Sequence, residues 1–193
     1  MKMRTSFVVS LILPAALSSA ALANETYKFD QSQSTIGFKV HQFLGTTNGR
    51  FTKFSGEIDI DREHPEKSSV VARIDVRSID TRIQKRDDHL RSAEFFNVAK
   101  FPEITFKSRS VTRTGPQSGD IVGDLTMHGV TKEVVLDVDG PNAAPKDEKG
   151  NQRMGASATT KVNRMDYGVS GAPGVAGDEI TITIDIEMIK PAK

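Results

Sequence analysis

The sequence predicts an all-β protein, an antiparallel barrel or sandwich of eight or nine strands with a single helical insert. Three observations predict it. Apolar and polar residues alternate along several separate runs, as they do in strands with one face on a core and one in water. Clusters rich in Gly, Pro and Asn separate those runs at regular spacing. One charged stretch, from residue 81 to 92, breaks the period of two.

Residues 1–23 read as a secretory signal peptide: Lys2 and Arg4 lead an apolar run from Phe7 to Leu17, and Ala21 and Ala23 form a small-residue cleavage pattern. The run is too short to cross about 30 Å of hydrocarbon. Cleavage after Ala23 leaves one domain, residues 24–193, expected in the periplasm. The first clear strand is "STIGFKV", with Ile36, Phe38 and Val40 on one side. "SSVVARIDV" follows, with Val70, Ala72, Ile74 and Val76 on one side. Next comes "DTRIQKRDDHLRSAEFF", rich in good helix formers, with Ile83 and Leu90 seven apart on one helical face. It predicts a helix linking a strand that ends near Ile79 to one that starts near Glu103.

"EITFKS" and "DIVGDLTM" are shorter strands, parted by the turn "TGPQSGD". "KEVVLDVD" places Val134, Leu136 and Val138 on one side, and the charged segment 139–151 after it predicts a mobile hairpin tip. The last run, "EITITIDIEMIK", alternates most strictly, with Ile180, Ile182, Ile184, Ile186 and Met188 set against Thr181, Thr183, Asp185 and Glu187.

Composition excludes several functions. Loss of Lys2 and Arg4 leaves 24 basic residues against 25 acidic ones, so no cationic excess is available to hold a phosphate backbone. Cysteine is absent, which removes disulfides, thiolate nucleophiles and Cys-based metal sites. The four histidines form no H-x-H or H-E-x-x-H pattern, and no cofactor or metal is expected. His64 and His128 lie in polar turns and read as solvated; His41 lies on the flank opposite Ile36, Phe38 and Val40. "GAPGVAG" leads into a strand rather than a helix, so it is no phosphate loop.

Four of the ten phenylalanines crowd into "HLRSAEFFNVAKFPEITFKS", at Phe95, Phe96, Phe101 and Phe106. Rings on an irregular connector must be buried somewhere. They either plug one end of a barrel or form a lid over a cavity mouth. In general such clusters more often pack a core.

These residues carry a resemblance. "RDDHLRSAEFFNVAKFPEITFKS" resembles the signature of the YceI-like, polyisoprenoid-binding family, RD-x-HL-x-S-x-DFFDV-x-x-YP-x-ITF-x-S. "STIGFKVHQFLG", "FTKFSGEIDID", "GDLTMHGVTKEVVL" and "NRMDYG" are similar, in order, to other blocks of that family. Departures are mild: Glu94, Asn97 and Phe101 differ from the signature, Asn163 and Tyr167 from its last block, and Gln33 stands where a His is common.

The resemblance implies an eight-stranded antiparallel lipocalin-like β-barrel with a helical insert, holding an isoprenoid or other long-chain lipid. It favours the lid reading of the ring cluster. Expected ligand-binding residues are Phe38 and Val40 on the first strand, Phe51 and Phe54 after it, and Phe95, Phe96 and Phe101 on the insert. Phe106, Leu125 and Met127 join them from the strands beyond. His89 is either a polar group at the cavity mouth or a helix-surface residue fixing the insert to a strand. Arg164 either pairs with Asp166 beside Gly168 or meets a lipid head group. The expected activity is binding, not catalysis. Two rivals are an enzyme acting on a lipid head group through His89, Asp87 or Asp88 and Arg164, and a packed stress-response interaction module without ligand. A homodimer is left open.

Overall fold

The computed structural model describes residues 24–42 and 45–192. The expected signal peptide lies outside them. Their strands are β1 (Glu25–Phe29), β2 (Thr35–Gln42), β3 (Gly45–Phe51), β4 (Phe54–Ile60), β5 (Ser69–Asp75), β6 (Ile79–Asp80), β7 (Glu103–Arg113), β8 (Ser118–Met127), β9 (Val130–Ala144), β10 (Gln152–Asn163) and β11 (Ala176–Lys190). The α-helix α1 (Gln84–Arg91) falls between β6 and β7.

Every pairing among these strands is antiparallel, and the order β1-β4-β5-β7-β8-β9-β10-β11 closes on itself through β1–β11. That ring is a closed eight-stranded barrel. The three remaining strands extend it. β1 and β2 both lie along β11, with Phe29 opposite Met188 and Thr35 opposite Asp185. β3 pairs with β2 while β4 pairs with β1, and β6 pairs with β3 while β5 pairs with β4. Each of β1/β2, β3/β4 and β5/β6 is therefore one long strand with a break. Counted so, eight strands follow one another round the barrel in sequence order.

The breaks in β3/β4 and β5/β6 are tied together. Thr52 N–H donates to Ser78 carbonyl at 3.1 Å, and Asp75 N–H donates to Lys53 carbonyl at 3.0 Å. The Asp75 side chain accepts from Arg77 N–H at 2.9 Å, holding the short turn that interrupts the strand. The break in β1/β2 loops out Asp30–Ser34 and is pinned by Glu187 N–H donating to Ser34 Oγ at 2.9 Å.

Two expectations need correction. The helix is shorter than its charged stretch, and Ile83 precedes it in extended conformation and is 52% exposed, so it shares no buried face with Leu90. A single apolar residue at a helix start gains little when no neighbour covers it. The hairpin tip is shorter than the charged segment 139–151: β9 runs on to Ala144, paired with Arg153 of β10, and only residues 145–151 form the turn. The turn beyond is organised by Asp147, whose carboxylate accepts from the backbone N–H of Lys149 and Asn151 and from the Asn151 amide. A carboxylate with several donors orders a turn that composition alone marks as loose.

The barrel has two unlike ends. At the helix end lie α1, the β8–β9 turn and the short 3-10 turn Arg164–Tyr167. At the turn end lie the β4–β5, β7–β8 and β9–β10 connections. Burial is deepest toward the two ends: Tyr27 at the turn end is fully buried, and Val76, Ile79 and Tyr167 are buried toward the helix end.

Candidate functional site: an apolar cavity along the barrel

The inward residues of the strands enclose a continuous cavity of about 630 Å³. Small-molecule sites commonly measure roughly 300–1,000 Å³. The period of two puts Ile180, Ile182, Ile184, Ile186 and Met188 of β11 on this wall and leaves Thr183 and Asp185 outside. From Ile180 to Met188 the wall runs ~26 Å along the strand at ~3.3 Å per residue. Val134, Leu136 and Val138 of β9 and Ile36 of β2 face it. The lining reaches Gln42, Thr47, Arg86 and His89 at the helix end, and Pro65, Arg113 and Pro116 at the turn end. The wall is thus apolar along its length with polar groups at both ends.

Aromatic rings would fill so narrow a barrel if they stood upright. Here they lie against glycines of the neighbouring strand. A Cβ built on Gly49 would meet the Phe38 ring at 2.3 Å, one on Gly56 the Phe29 ring at 2.3 Å, and one on Gly123 the Phe106 ring at 2.5 Å. Phe38 and Gly49 are direct register partners. Glycine offers no side chain, so another group can approach the backbone closely. Each ring takes the place of a missing side chain, and the space along the axis stays open.

Of the residues expected to bind ligand, Phe38, Val40, Phe51, Phe106, Leu125 and Met127 line the cavity from the strands. Phe95, Phe96, His89 and Arg164 touch it at the helix end. Phe54 and Phe101 do not. Phe54 is buried, but it sits at the break between β3 and β4 and packs into the wall. Phe101 lies beyond the turn at Asn97 and packs on the β8–β9 turn, its ring centroid 4.4 Å from His128 and its edge over Gly129. The ring cluster is therefore divided. Phe95 rests over Gly171 and meets His89 edge-on at 4.9 Å, and Phe96 meets Phe51 edge-on at 6.4 Å. His128, expected to be solvated, is half-buried under Phe101, with Nδ1 3.1 Å from Tyr167 carbonyl.

The two expected polar residues are committed elsewhere. Arg164 is 4% exposed, and its partner is Asp178, not Asp166. Its guanidinium donates to the carbonyls of Gly177, Val169, Gly171 and Ala176 and to the Asp178 carboxylate, at 2.7–3.1 Å. Those five bonds engage all five of its N–H groups, so it staples the segment 169–178 and has no donor left. His89 lies half-exposed with Nε2 2.7 Å from the Glu94 carboxylate. It fixes the helix to the turn that follows rather than to a strand. Among the described residues no three His, Asp or Glu side chains gather as a metal site, and no helix is long and apolar enough to cross a membrane.

Sequence reasoning missed Arg86. It lines the cavity at the helix end and is half-buried. Its Nε–H donates to Thr81 Oγ1 at 2.7 Å, and its terminal nitrogens donate to Thr81 carbonyl at 2.9 Å and Thr47 Oγ1 at 3.2 Å. Thr81 Oγ1 donates in turn to the buried Asp87 carboxylate at 2.5 Å, which also accepts Thr81 N–H. Its place inside the "RDDHL" block was the available signal.

At the turn end an ion cluster sits over Tyr27. Glu25 accepts from Arg62 at 2.6 Å and from Lys190 at 2.8 Å, and Tyr27 hydroxyl donates to Gln152 at 3.0 Å. The bonds from Lys190 and Arg62 hold the Glu25 carboxyl below the ordinary carboxylate range.

Known proteins with this architecture agree. The YceI-like domain matches residues 27–188. A UPF0312 protein of Pseudomonas putida is 37% identical over 186 residues, covering 94% of this chain and 95% of its own. The crystal structure of the Campylobacter jejuni YceI protein superposes with a TM-score of 0.71 at 29% identity, over 79% of this chain and 90% of that one. A polyisoprenoid-binding domain from Saccharophagus degradans shares the fold, with a TM-score of 0.63 at 17% identity over 86% and 98% of the two chains. With its closed barrel, its single helical insert and a domain match spanning nearly every described residue, the chain belongs to the YceI-like family.

Proposed function

We propose that this protein binds one long apolar chain, of the polyprenyl or isoprenoid-quinone type, inside the barrel and carries or sequesters it in the periplasm. The observation that carries the proposal is the apolar cavity running the length of the barrel, kept open by rings laid over glycines. The S. degradans relative, a polyisoprenoid-binding domain, supports the same ligand class. A chain of about forty carbons would gain ~30 kcal/mol gross at ~0.8 kcal/mol per methylene. That exceeds the ~18–21 kcal/mol ceiling of real complexes, so ordering the chain offsets much of it.

Binding is favoured over head-group chemistry because the polar residues do not converge. Asp87 faces Thr81, His89 pairs with Glu94, and Arg164 holds the segment 169–178. A ligand-free packed module is disfavoured by the open interior. The deciding experiment is organic extraction of the purified protein with mass spectrometry, paired with titration of delipidated protein by a fluorescent polyprenyl chain. A co-purifying long-chain lipid and saturable one-to-one binding are expected. Neither lipid nor binding would end the proposal. Export is tested by N-terminal sequencing of the periplasmic fraction, where Asn24 should come first.

A further inference from the structure

We infer that Arg86 anchors the ligand's polar head at the helix end, and that this head is a phosphate-type oxyanion. The inference rests on the proposed chain-binding function and adds an orientation and a head-group class to it. Among the described residues four arginines touch the cavity: Arg62, Arg86, Arg113 and Arg164. Arg164 has every N–H engaged, as described. Arg62 is ion-paired with Glu25, a carboxylate it shares with Lys190. Arg113 is exposed and donates to Pro116 carbonyl, so water completes its shell.

Arg86 differs from all three. It is half-buried, and among the described residues no carboxylate oxygen lies within the 4 Å of an ion pair; its three partners are two hydroxyls and a carbonyl, all neutral. Three of five N–H groups are engaged, which leaves one on each terminal nitrogen. A guanidinium partly removed from water calls for an anion, and one unengaged N–H on each terminal nitrogen suits a phosphate. Asp87 supplies negative charge only at one hydroxyl's remove. It grips Thr81, and Thr81 grips Arg86. This chain fixes the guanidinium in place beforehand without quenching it, so little freedom is lost on binding. From Arg86 the apolar wall leads away along β11 toward Met188, which gives the tail its path.

The test compares geranylgeranyl monophosphate, geranylgeraniol of the same chain length, and inorganic phosphate on delipidated wild-type protein. The phosphate-bearing chain should bind roughly 10- to 100-fold tighter than the alcohol, as charge-assisted hydrogen bonds allow. Inorganic phosphate alone should neither bind measurably nor compete. Arg86→Gln should abolish the preference while leaving alcohol binding intact, which also reports that the variant folds. Arg86→Lys, which keeps the charge, should retain part of it. Arg113→Gln at the opposite end should change nothing. Equal binding of alcohol and phosphate by wild type would overturn the role of Arg86 and leave chain binding standing. So would a preference that survives Arg86→Gln or vanishes with Arg113→Gln. Competition by inorganic phosphate would mark a free-anion site and overturn the lipid-head assignment. Failure of both chains to bind would remove this inference together with the chain-binding function.

Discussion

Three phenylalanines of the insert should respond differently to truncation. Phe95 is 8% exposed and wedged between His89 and Gly171. Its loss leaves a cavity in packed structure, so Phe95→Ala should cost ~3–5 kcal/mol of apo stability. Phe96 is half-buried, touching Phe51 on one side and the open cavity on another. With about half the packing, Phe96→Ala should cost ~1–2 kcal/mol. It should also speed release of a bound polyprenyl chain about tenfold, since affinity changes appear chiefly in dissociation. Phe101 lies off the cavity against His128 and Gly129. Phe101→Ala should lower stability and leave release unchanged. The assay is urea unfolding of each apo variant, paired with stopped-flow dissociation of a fluorescent polyprenyl probe. Equal stability losses for all three with unchanged release would mean that the rings are a plug. Faster release from Phe101→Ala than from Phe96→Ala would refute the division of the cluster.

Other substitutions test the wall and the turn end. Gly49→Ala sets a Cβ 2.3 Å from the Phe38 ring, so the ring must swing toward the axis; a cost of ~1–3 kcal/mol and weaker chain binding should follow in calorimetry. Ile184→Asp, on the cavity wall, should lower the urea midpoint and abolish chain binding, whereas Thr183→Asp on the outer face should stay within ~0.5 kcal/mol of wild type; equal midpoints would invert the assigned faces. Because the Glu25 carboxyl is held below its ordinary 4.5 by Lys190 and Arg62, its contribution is complete above that value and is lost as pH falls through the lowered one. Glu25→Gln should therefore be less stable at neutral pH and show a shallower acid loss in thermal melts between about pH 5 and 2.

Much of this was legible from the sequence because strand alternation is a local signal. The β11 isoleucines declare their face without reference to any partner. The coaligned breaks in the first three long strands were not legible, since they depend on cross-strand bonds such as that between Thr52 and Ser78. Phe95, Phe96 and Phe101 look alike in sequence; the positive-φ turn at Asn97 sends the last of them to a different surface. Arg164 and Arg86 both stood in family-like blocks. Which of them keeps free donors is decided by how the loop after Arg164 folds back to present its carbonyls, and no spacing rule reports that. The ring–glycine pairs were equally hidden, because each joins two strands through register alone.

Barrel closure has a kinetic consequence. The seam joins the first strand to the last, with Lys28 opposite Ile189 about 160 residues away. Bringing such distant segments together carries an entropic cost of about 4.5 kcal/mol beyond the constant part of loop closure. Contacts this remote in sequence slow folding. Seven strands can zip sequentially as hairpins, but the interior remains an open trough until β11 docks on both neighbours. A chain cut short before residue 176 would be an unsealed sheet with two bare edges. Such a fragment would expose the rest of the apolar wall to water and to other copies, and it would favour association over lipid capture.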